Sequence, residues 1–112
     1  MLVPMPQSAR LRRICEAFLG NPAARDDIDG WAADAGLSRR TFTRLFRAET
    51  GLSVGAWKKQ ARLVEAMSRL AEGAPITSIA FDVGYESSSA FGAMFRQSLG
   101  TSPSSFAPRK NG

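Results

Sequence analysis

Hydrophobic residues recur at helical spacing along almost the whole chain. The first series follows Ser8, a residue suited to a helix N-cap, with apolar members at i, i+3, i+4, i+7 and i+8: Leu11, Ile14, Cys15, Phe18 and Leu19. Residues 20–22, with the sequence GNP, end this predicted helix. A shorter helix starts after Asp27 and ends at Gly36, and its predicted inward residues are Ile28, Trp31, Ala32 and Ala35.

A segment with two contrasting faces comes next, between Ser38 as N-cap and Gly51 as terminator. Wound as an α-helix, it collects large apolar side chains on one stripe and arginines roughly opposite: Phe42, Leu45 and Phe46 against Arg40, Arg44 and Arg47. The apolar stripe predicts contact with a core, and the arginines predict a negatively charged partner. An ordinary solvated face would give the same pattern, so this helix alone leaves both interpretations open.

A long helix follows. Ser53 suits its N-cap, and it extends to roughly Ala71, about 28 Å at about 1.5 Å per residue. The residues predicted on its inner side are Trp57, Ala61, Val64 and Leu70. Four cations are predicted to lie outward or at the margins of that side: Lys58, Lys59, Arg62 and Arg69.

Three short elements complete the pattern. The first ends at a Gly84 turn, and its apolar residues are Ile76, Ile79, Ala80 and Val83. Ser87 caps the second, whose apolar residues are Phe91, Met94, Phe95 and Leu99. The last opens with Ser102 at the N-cap and Pro103 at the first helical position, and it is expected to point Phe106 inward.

The second half of the chain repeats the first. IDGWAADAG at residues 28–36 aligns with ITSIAFDVG at residues 76–84, an offset of 48. RTFTRLFRAETGLS at residues 40–53 aligns with SAFGAMFRQSLGTS at residues 89–102, an offset of 49. Each copy consists of two helices separated by a short turn with glycine, which is a helix-turn-helix. Helical solenoids also have such periods but usually need three or more repeats, so we predict two helix-turn-helix units.

Length and charge bear on the two interpretations of the arginine face. The 112 residues suit one compact domain, or two very small ones that share a helix. The net charge of +5 favours a polyanionic partner, nucleic acid first and an anionic membrane surface second. Between Ser38 and Arg62 there are seven cations and one acid, so the local excess of six exceeds the net charge of the chain. The arginine face of residues 38–51 therefore becomes a candidate DNA-binding surface.

Catalysis is not indicated. The chain has no histidine, which excludes histidine-based metal sites, Cys-His dyads and Ser-His-Asp triads, so we predict no enzyme activity, metal or cofactor. The single cysteine, Cys15, excludes an internal disulfide and is interpreted as a small buried hydrophobe in a reducing compartment. Asp26, Asp27 and Asp29 lie at a helix start, where acids favour the dipole, rather than in a metal site. Without a signal peptide or an apolar run of membrane-spanning length, we expect a soluble, cytoplasmic protein.

Two units joined by a long helix have a geometric consequence. A rigid connector of about 28 Å can hold two recognition helices about 34 Å apart, one turn of B-DNA, so that both enter the major groove on one side. Arg40 and Arg44 would then lie nearest the bases, and Arg47 nearer a phosphate. Arginine suits this role because its planar fork can bond guanine O6 and N7 together. Trp31 and Trp57, which could stack on bases, occupy inward positions and are assigned to the core.

The chain resembles the C-terminal DNA-binding domain of AraC-type transcriptional regulators over about residues 10–107. The resemblance rests on LSRRTFTRLFRAETGLSVGAW, on the connector WKKQARLVEAMSRLAEG, and on IAFDVGYESSSAFGAMFRQSLGTSPSSF. It implies an all-α fold of about seven helices, with two homeodomain-like helix-turn-helix subdomains joined by a long central helix. It also implies a two-part site for double-stranded DNA and control of transcription in a bacterium, commonly activation through contact with RNA polymerase.

The resemblance also implies which residues contact DNA. The base-facing positions fall on Arg40, Thr43 and Arg44 in the first unit and on Ser88, Ser89, Gly92 and Ala93 in the second. The expected phosphate contacts are Ser38, Arg39, Arg47, Ser87 and Arg96. The second set departs from the family pattern, which often has longer polar or basic side chains there. We therefore expect the first unit to dominate base readout, while the second adds phosphate and shape readout or serves only as a packing element.

The predicted division of the chain has five parts. They are an interdomain linker or N-terminal tail (1–7), the first subdomain (8–52), the connecting helix (53–73), the second subdomain (74–107) and a C-terminal tail (108–112). We expect this chain to be monomeric, nucleoid-associated, and a fragment of a longer regulator with an N-terminal sensing or dimerisation domain. The alternative is a natural stand-alone member of the family. The alternative function is a protein-interaction module whose basic face docks on an acidic partner and binds DNA only nonspecifically.

Overall fold

The computed structural model describes residues 3–108. Six α-helices and one 3-10 helix follow one another within this range: α1 (Ala9–Gly20), α2 (Ile28–Asp34), α3 (Arg39–Thr50), α4 (Val54–Ala71), α5 (Ile76–Asp82), α6 (Ser88–Leu99) and the final 3-10 helix (Pro103–Phe106). No strand occurs in this part of the chain, so the all-α prediction is confirmed. The seventh predicted helix is a single 3-10 turn in which Pro103 is buried, whereas Phe106 is partly exposed and packs against Phe95 at 5.4 Å.

The first core lies between α1, α2, α3 and the start of α4. Its buried members are Leu11, Cys15, Phe18, Trp31, Ala32, Ala35, Phe42, Phe46, Val54, Trp57 and Ala61. Trp31 is at its centre, with the ring centroids of Phe18, Phe46 and Trp57 between 5.7 and 6.1 Å away. Both tryptophans are buried, as predicted, whereas Leu19 is partly exposed because it follows the buried stripe of α1 by one position.

The second core is smaller and lies between α4, α5 and α6. Its buried members are Leu63, Ala66, Leu70, Ile79, Ala80, Val83, Phe91, Met94 and Phe95. Arg69 on α4 donates to Glu65 of the same helix at 2.8 Å and to Asp82 on α5 at 2.9 Å, so the second bond joins the two helices. Each helix-turn-helix unit therefore has its own hydrophobic core.

Helix α4 belongs to both cores but uses different faces for them. Trp57 and Ala61 enter the first core, whereas Leu63, Ala66 and Leu70 enter the second. At about 100° per residue, these two sets lie on nearly opposite sides of the helix. The prediction of a single inner side was therefore wrong: Leu70 lies on the face opposite Trp57 and Ala61. Val64 is only half-buried, whereas Leu63 is buried.

The two units also touch near the turn between α5 and α6. Gly84 has φ +97°, and a Cβ at this position would lie 3.2 Å from the Pro22 carbonyl oxygen. The same oxygen accepts a hydrogen bond of 3.1 Å from Nε of Arg62 on α4. Only glycine combines this backbone angle with so close an approach. The molecule is elongated, with principal extents of 54 × 23 × 22 Å.

The segment before α1 packs onto the first core. Pro6 is buried, Val3 and Met5 contact the cluster, and the Trp57 indole N–H donates to the Pro4 carbonyl at 2.6 Å. Ser8 N–H donates to Oε1 of Glu49 on α3 at 2.7 Å. The boundary at residue 7 stays a prediction, but residues 3–6 behave structurally as part of the first unit.

Four of the predicted N-caps are confirmed. The side chains of Asp27, Ser38, Ser53 and Ser87 accept hydrogen bonds from backbone N–H groups three residues later. Ser8 and Ser102 occupy N-cap positions without a side-chain cap bond. At Ser8 the amide is already engaged by Glu49, and the hydroxyl is buried without a hydrogen-bond partner among residues 3–108.

Ser53 makes a cap hydrogen bond and Ser8 does not, so their replacement should affect stability differently. Replacing Ser53 by alanine should lower the free energy of unfolding by about 1 kcal/mol, because the Ala56 N–H loses its acceptor. Ser8→Ala is the matched control and should have a much smaller effect, since no cap bond is lost. Urea denaturation followed by far-UV circular dichroism measures both. Equal losses in the two variants would contradict the assignment of the Ser53 cap.

Cys15 is buried in the first core, as predicted, and burial raises the pKa of its thiol to about 12, with a further contribution from Glu16. At pH 8 the thiol is therefore protonated in the folded chain, whereas an unfolded thiol, with a pKa of about 8.5, is partly ionised. We expect iodoacetamide to alkylate the folded protein more than about 100-fold more slowly than the protein in urea. Mass spectrometry gives both rates, and similar rates would show that Cys15 is accessible in the native state.

Candidate nucleic-acid interface

Helix α3 presents a row of four exposed side chains. Arg40, Thr43, Arg44 and Arg47 follow the i, i+3, i+4, i+7 spacing and are all exposed. Their common direction is fixed from the opposite side, where Phe42 and Phe46 are buried in the first core. All three predicted base-facing residues of the first unit, together with the predicted phosphate contact Arg47, thus share one surface, called the α3 row below.

Two hydroxyl groups at this surface already make internal hydrogen bonds. The Thr43 hydroxyl donates to the Arg39 carbonyl at 2.8 Å, which leaves its oxygen free to accept and its methyl group exposed. The Ser38 hydroxyl accepts from the Thr41 amide and donates to Oγ1 of Thr41 at 3.0 Å. Phosphate oxygens only accept, so a phosphate near Ser38 would bond to the amides at the start of α3 unless the hydroxyl reoriented.

Arg39 lies beside the α3 row and faces an acid. One of its guanidinium nitrogens is 3.6 Å from Oδ2 of Asp29 on α2, and both side chains are well exposed. Exposed pairs of this kind contribute little to stability, so Arg39 can exchange this partner for a phosphate at low cost. The neighbouring acid Asp27 caps α2, in agreement with its predicted structural role.

Two of the seven cations counted between Ser38 and Arg62 face the protein rather than solvent. Lys58 places its ammonium 4.6 Å from the Trp31 ring centroid and donates to the Asp26 carbonyl. Burial lowers the pKa of Lys58, and Arg62 lowers it further, against the opposite effect of Asp26 and Asp27. Arg62 lies 5.5 Å from the Phe18 ring centroid. The charge available for DNA is therefore concentrated on α3, and the sequence carried no signal that separated these two cations from the others.

Helix α6 presents the equivalent surface of the second unit. Ser89, Gly92, Ala93 and Arg96 stand at the same i, i+3, i+4, i+7 spacing, and all but the half-buried Gly92 are exposed. Open space surrounds the position that a Cβ on Gly92 would take. These four residues are called the α6 row below. Ser88, the other predicted base contact, is half-buried beside the row.

The start of α6 is capped as predicted. The Ser87 hydroxyl accepts from the Ala90 amide at 3.1 Å and keeps its own proton for another acceptor, such as a phosphate oxygen. The structure thus places the predicted contacts on the surfaces of two helices. The internal hydrogen bonds of Ser38 and Thr43 are an additional feature that the residue types alone do not indicate.

Sequence analysis did not indicate a groove that lies between α1 and α2. It has a volume of about 400 Å³, and Arg10, Phe18, Trp31 and Asp34 are among the residues that line it. Arg10 is already engaged, since it donates to the Ala35 carbonyl at 2.8 Å. None of the helices described between residues 3 and 108 has the length and apolar character that crossing a membrane requires.

Comparison with known proteins identifies the family. The family model described as "Helix-turn-helix domain" matches residues 31–109. The HTH-type transcriptional regulator NimR of Escherichia coli K12 is 31% identical over 107 residues, which cover 96% of this chain and 39% of NimR. The regulatory protein SoxS of Salmonella typhimurium LT2 is 34% identical over 84 residues, which cover 74% of this chain and 78% of SoxS. The HTH-type regulator RipA of Corynebacterium glutamicum is 32% identical, with 31% of its length covered.

Solved structures agree with these relatives. One of them is the crystal structure of the DNA-binding domain of AdpA, a global transcriptional factor, in complex with a target DNA. It superposes on this chain with a TM-score of 0.80 at 31% sequence identity. The match covers 88% of this chain and 90% of the AdpA chain. The chain spans about a third of the length of the first curated relatives it matches, 39% for NimR and 31% for RipA. The matched model, these relatives and the two helix-turn-helix units together show that the chain belongs to the AraC-type family of sequence-specific, DNA-binding transcriptional regulators.

Proposed function

We propose that this chain binds a bacterial operator through the major groove, with α3 as its principal reading helix. The observation that carries this proposal is the α3 row: three exposed arginines and a threonine on one face of a helix whose other face is fixed in an aromatic core. A rigid attachment is what base reading needs, because each bidentate contact depends on where the helix holds its side chain.

Within the α3 row the residues have different roles. Arg40 and Arg44 bond guanine O6 and N7, the pairing that the guanidinium fork fits best. The Thr43 hydroxyl already donates its proton to the Arg39 carbonyl. Its oxygen can therefore accept a hydrogen bond from an exocyclic amino group of a base, or its methyl group can pack against a thymine methyl. Arg47, one turn further along, contacts a phosphate.

Other groups position the duplex without reading it. Arg39 and the backbone amides next to Ser38 contact phosphates at the start of α3. In the second unit, Ser87 and Arg96 contact phosphates, and Ser88, Ser89 and Gly92 lie at the base edges. We propose that the first unit dominates base readout, because Arg40 and Arg44 have the length for bidentate bonds at the two positions where the second unit has Ser89 and Ala93.

The division of the chain and its place in the cell follow from this function. We propose a first subdomain up to residue 52, a connecting helix over residues 53–73 and a second subdomain up to residue 107. We propose that the full regulator has a further sensing or dimerisation domain and that this part acts as a monomer; the greater length of NimR and RipA supports additional sequence in the full protein. Transcription activation through contact with RNA polymerase, in the cytoplasm and on the nucleoid, completes the proposal.

Selection of bound sites from a random duplex library at near-physiological salt, followed by footprinting, tests this function. We expect one strongly specified patch and a weaker protected patch about one helical turn, roughly 34 Å, away. Retention without any enriched motif, lost steeply as salt rises, would contradict it. That outcome would support the alternative, in which the basic face docks on an acidic protein partner and binds DNA only nonspecifically.

A further inference from the structure

The α6 row differs from the α3 row in the reach of its side chains. At the two positions that correspond to Arg40 and Arg44, the second unit has Ser89 and Ala93. Between them Gly92 has no side chain, and the space where its Cβ would lie is open. Within the α6 row, Ser89, Gly92 and Ala93 therefore leave much of the backbone uncovered, Ala93 carries the one methyl group, and Arg96 follows about one turn later.

The second unit also carries less positive charge than the first. Residues 38–52 carry four arginines and one acid, whereas the equivalent residues 87–101 carry one cation, Arg96, and no acid. Over residues 74–107 as a whole, Asp82 and Glu86 outnumber that cation and make the net charge −1. Attraction to phosphates, which provides most nonspecific affinity, is therefore weak at the second unit. Any readout by α6 has to come from close contact with base edges.

The chemistry of the α6 row limits what those contacts can be. Alanine and glycine offer no hydrogen-bonding side chain, and the serine hydroxyl accepts or donates to any base without discriminating strongly. The distinct apolar group on a base edge in the major groove is the 5-methyl of thymine, and alanine is among the residues that contact it. With short side chains at Ser89, Gly92 and Ala93, this part of α6 can also approach the base edges more closely than the corresponding part of α3.

Building on the proposed function, we propose that α6 reads DNA through thymine 5-methyl groups. Ala93 makes the contact, and Gly92 allows the helix to come close enough for it. The two units then recognise DNA by different chemistry. The α3 row bonds guanines through charged forks, and the α6 row packs against methyl groups. The second contribution depends little on salt, because it releases few counterions.

The test removes the methyl groups from the DNA rather than side chains from the protein. In the selected duplex, each thymine of the weaker patch is replaced in turn by deoxyuridine, which pairs identically but lacks the 5-methyl. Fluorescence anisotropy with the 112-residue chain should show about fourfold weaker binding for each contacted thymine, the value expected for one buried methyl group. The ratio between the two duplexes should change little between low and high salt.

A protein variant assigns the effect to Ala93. Ala93→Gly should bind the thymine duplex about fourfold more weakly and should lose nothing further on the deoxyuridine duplex, since the same contact is already absent. Ala71→Gly is the matched control, because it removes a methyl group from an exposed alanine at the end of α4. This control should keep the full thymine preference. Circular dichroism confirms that both variants remain folded.

The outcomes separate this inference from the function on which it rests. Equal affinity for both duplexes, with the weaker patch still protected, would overturn methyl readout and leave the proposed function intact. A selected motif without thymine in that patch would do the same, as would a thymine preference that Ala93→Gly leaves unchanged. The absence of any sequence-selective binding would instead remove the proposed function, and the inference with it.

Discussion

Replacing Arg44 by alanine should weaken binding to the selected operator by about 1–3 kcal/mol, roughly 5- to 150-fold in affinity. The guanidinium of Arg44 is exposed at the middle of the α3 row, where a bidentate bond to guanine would be lost without loss of core packing. The variant should therefore also lose its preference at one base pair. Anisotropy titrations against the operator and its single-base variants measure both effects.

Two further arginines serve as controls for charge. Arg47→Ala should weaken binding to all sequences alike and reduce the salt slope by about one, as expected for a phosphate contact. Arg12→Ala removes the same charge from an exposed position of α1, where Arg12 lies 3.9 Å from Glu16, and should change operator preference little. If Arg44→Ala weakened every sequence equally, Arg44 would be a phosphate contact and the assigned base role would be wrong.

Trp57→Ala should lower the free energy of unfolding by about 3–5 kcal/mol. Trp57 is fully buried, its ring lies about 6 Å from those of Phe18, Trp31 and Phe46, and its indole N–H holds the Pro4 carbonyl. Since small domains have only about 5–15 kcal/mol in total, much of the stability would be lost. Urea denaturation followed by far-UV circular dichroism, which does not rely on tryptophan fluorescence, measures the change.

Phe81 offers the matched control for this substitution. It is also a large aromatic residue on a helix, but 55% of its surface is exposed. Phe81→Ala should cost less than about 0.5 kcal/mol, as for most surface substitutions. Trp57→Phe should fall between the two, because it keeps an aromatic ring in the core and leaves the Pro4 carbonyl without its donor. Similar losses for Trp57→Ala and Phe81→Ala would show that the first core does not depend on the indole.

Local features of the fold could be predicted because each depends on a few adjacent residues. Ser38, Ser53 and Ser87 are caps because their hydroxyls reach an amide three residues later, and that relation is visible in the sequence. Gly51 and Gly100 end α3 and α6 with φ near +80°, a region that glycine enters without strain. The repeat offset then gave two helix-turn-helix units, and the apolar stripe of α3 indicated which of its faces is exposed.

Features that join distant parts of the chain could not be predicted in this way. Nothing in the sequence shows that Lys58 covers Trp31, or that Arg62 bonds the Pro22 carbonyl, because each contact depends on how separate helices pack. The packing of Pro4 and Pro6 against the first core was missed since proline-rich segments also occur in linkers. For the candidate site, the exposed rows followed from helical spacing. The internal hydrogen bonds of Ser38 and Thr43 required coordinates.

Because α4 packs into the two cores through opposite faces, it sets the rotation of the second unit relative to the first as well as the distance between them. One residue inserted between Ala61 and Leu63 would turn everything after it by about 100° while lengthening the helix by only about 1.5 Å. One base pair inserted into DNA turns the duplex by about a third of that angle and lengthens it by about 3.4 Å. The α-helix and the DNA duplex therefore combine rotation and rise in different proportions, so a small insertion in α4 cannot be offset by an insertion in the DNA site. A duplex that engages both units must keep its two patches in one rotational phase, and regulators with this connector can vary the bases they read more easily than the distance between them.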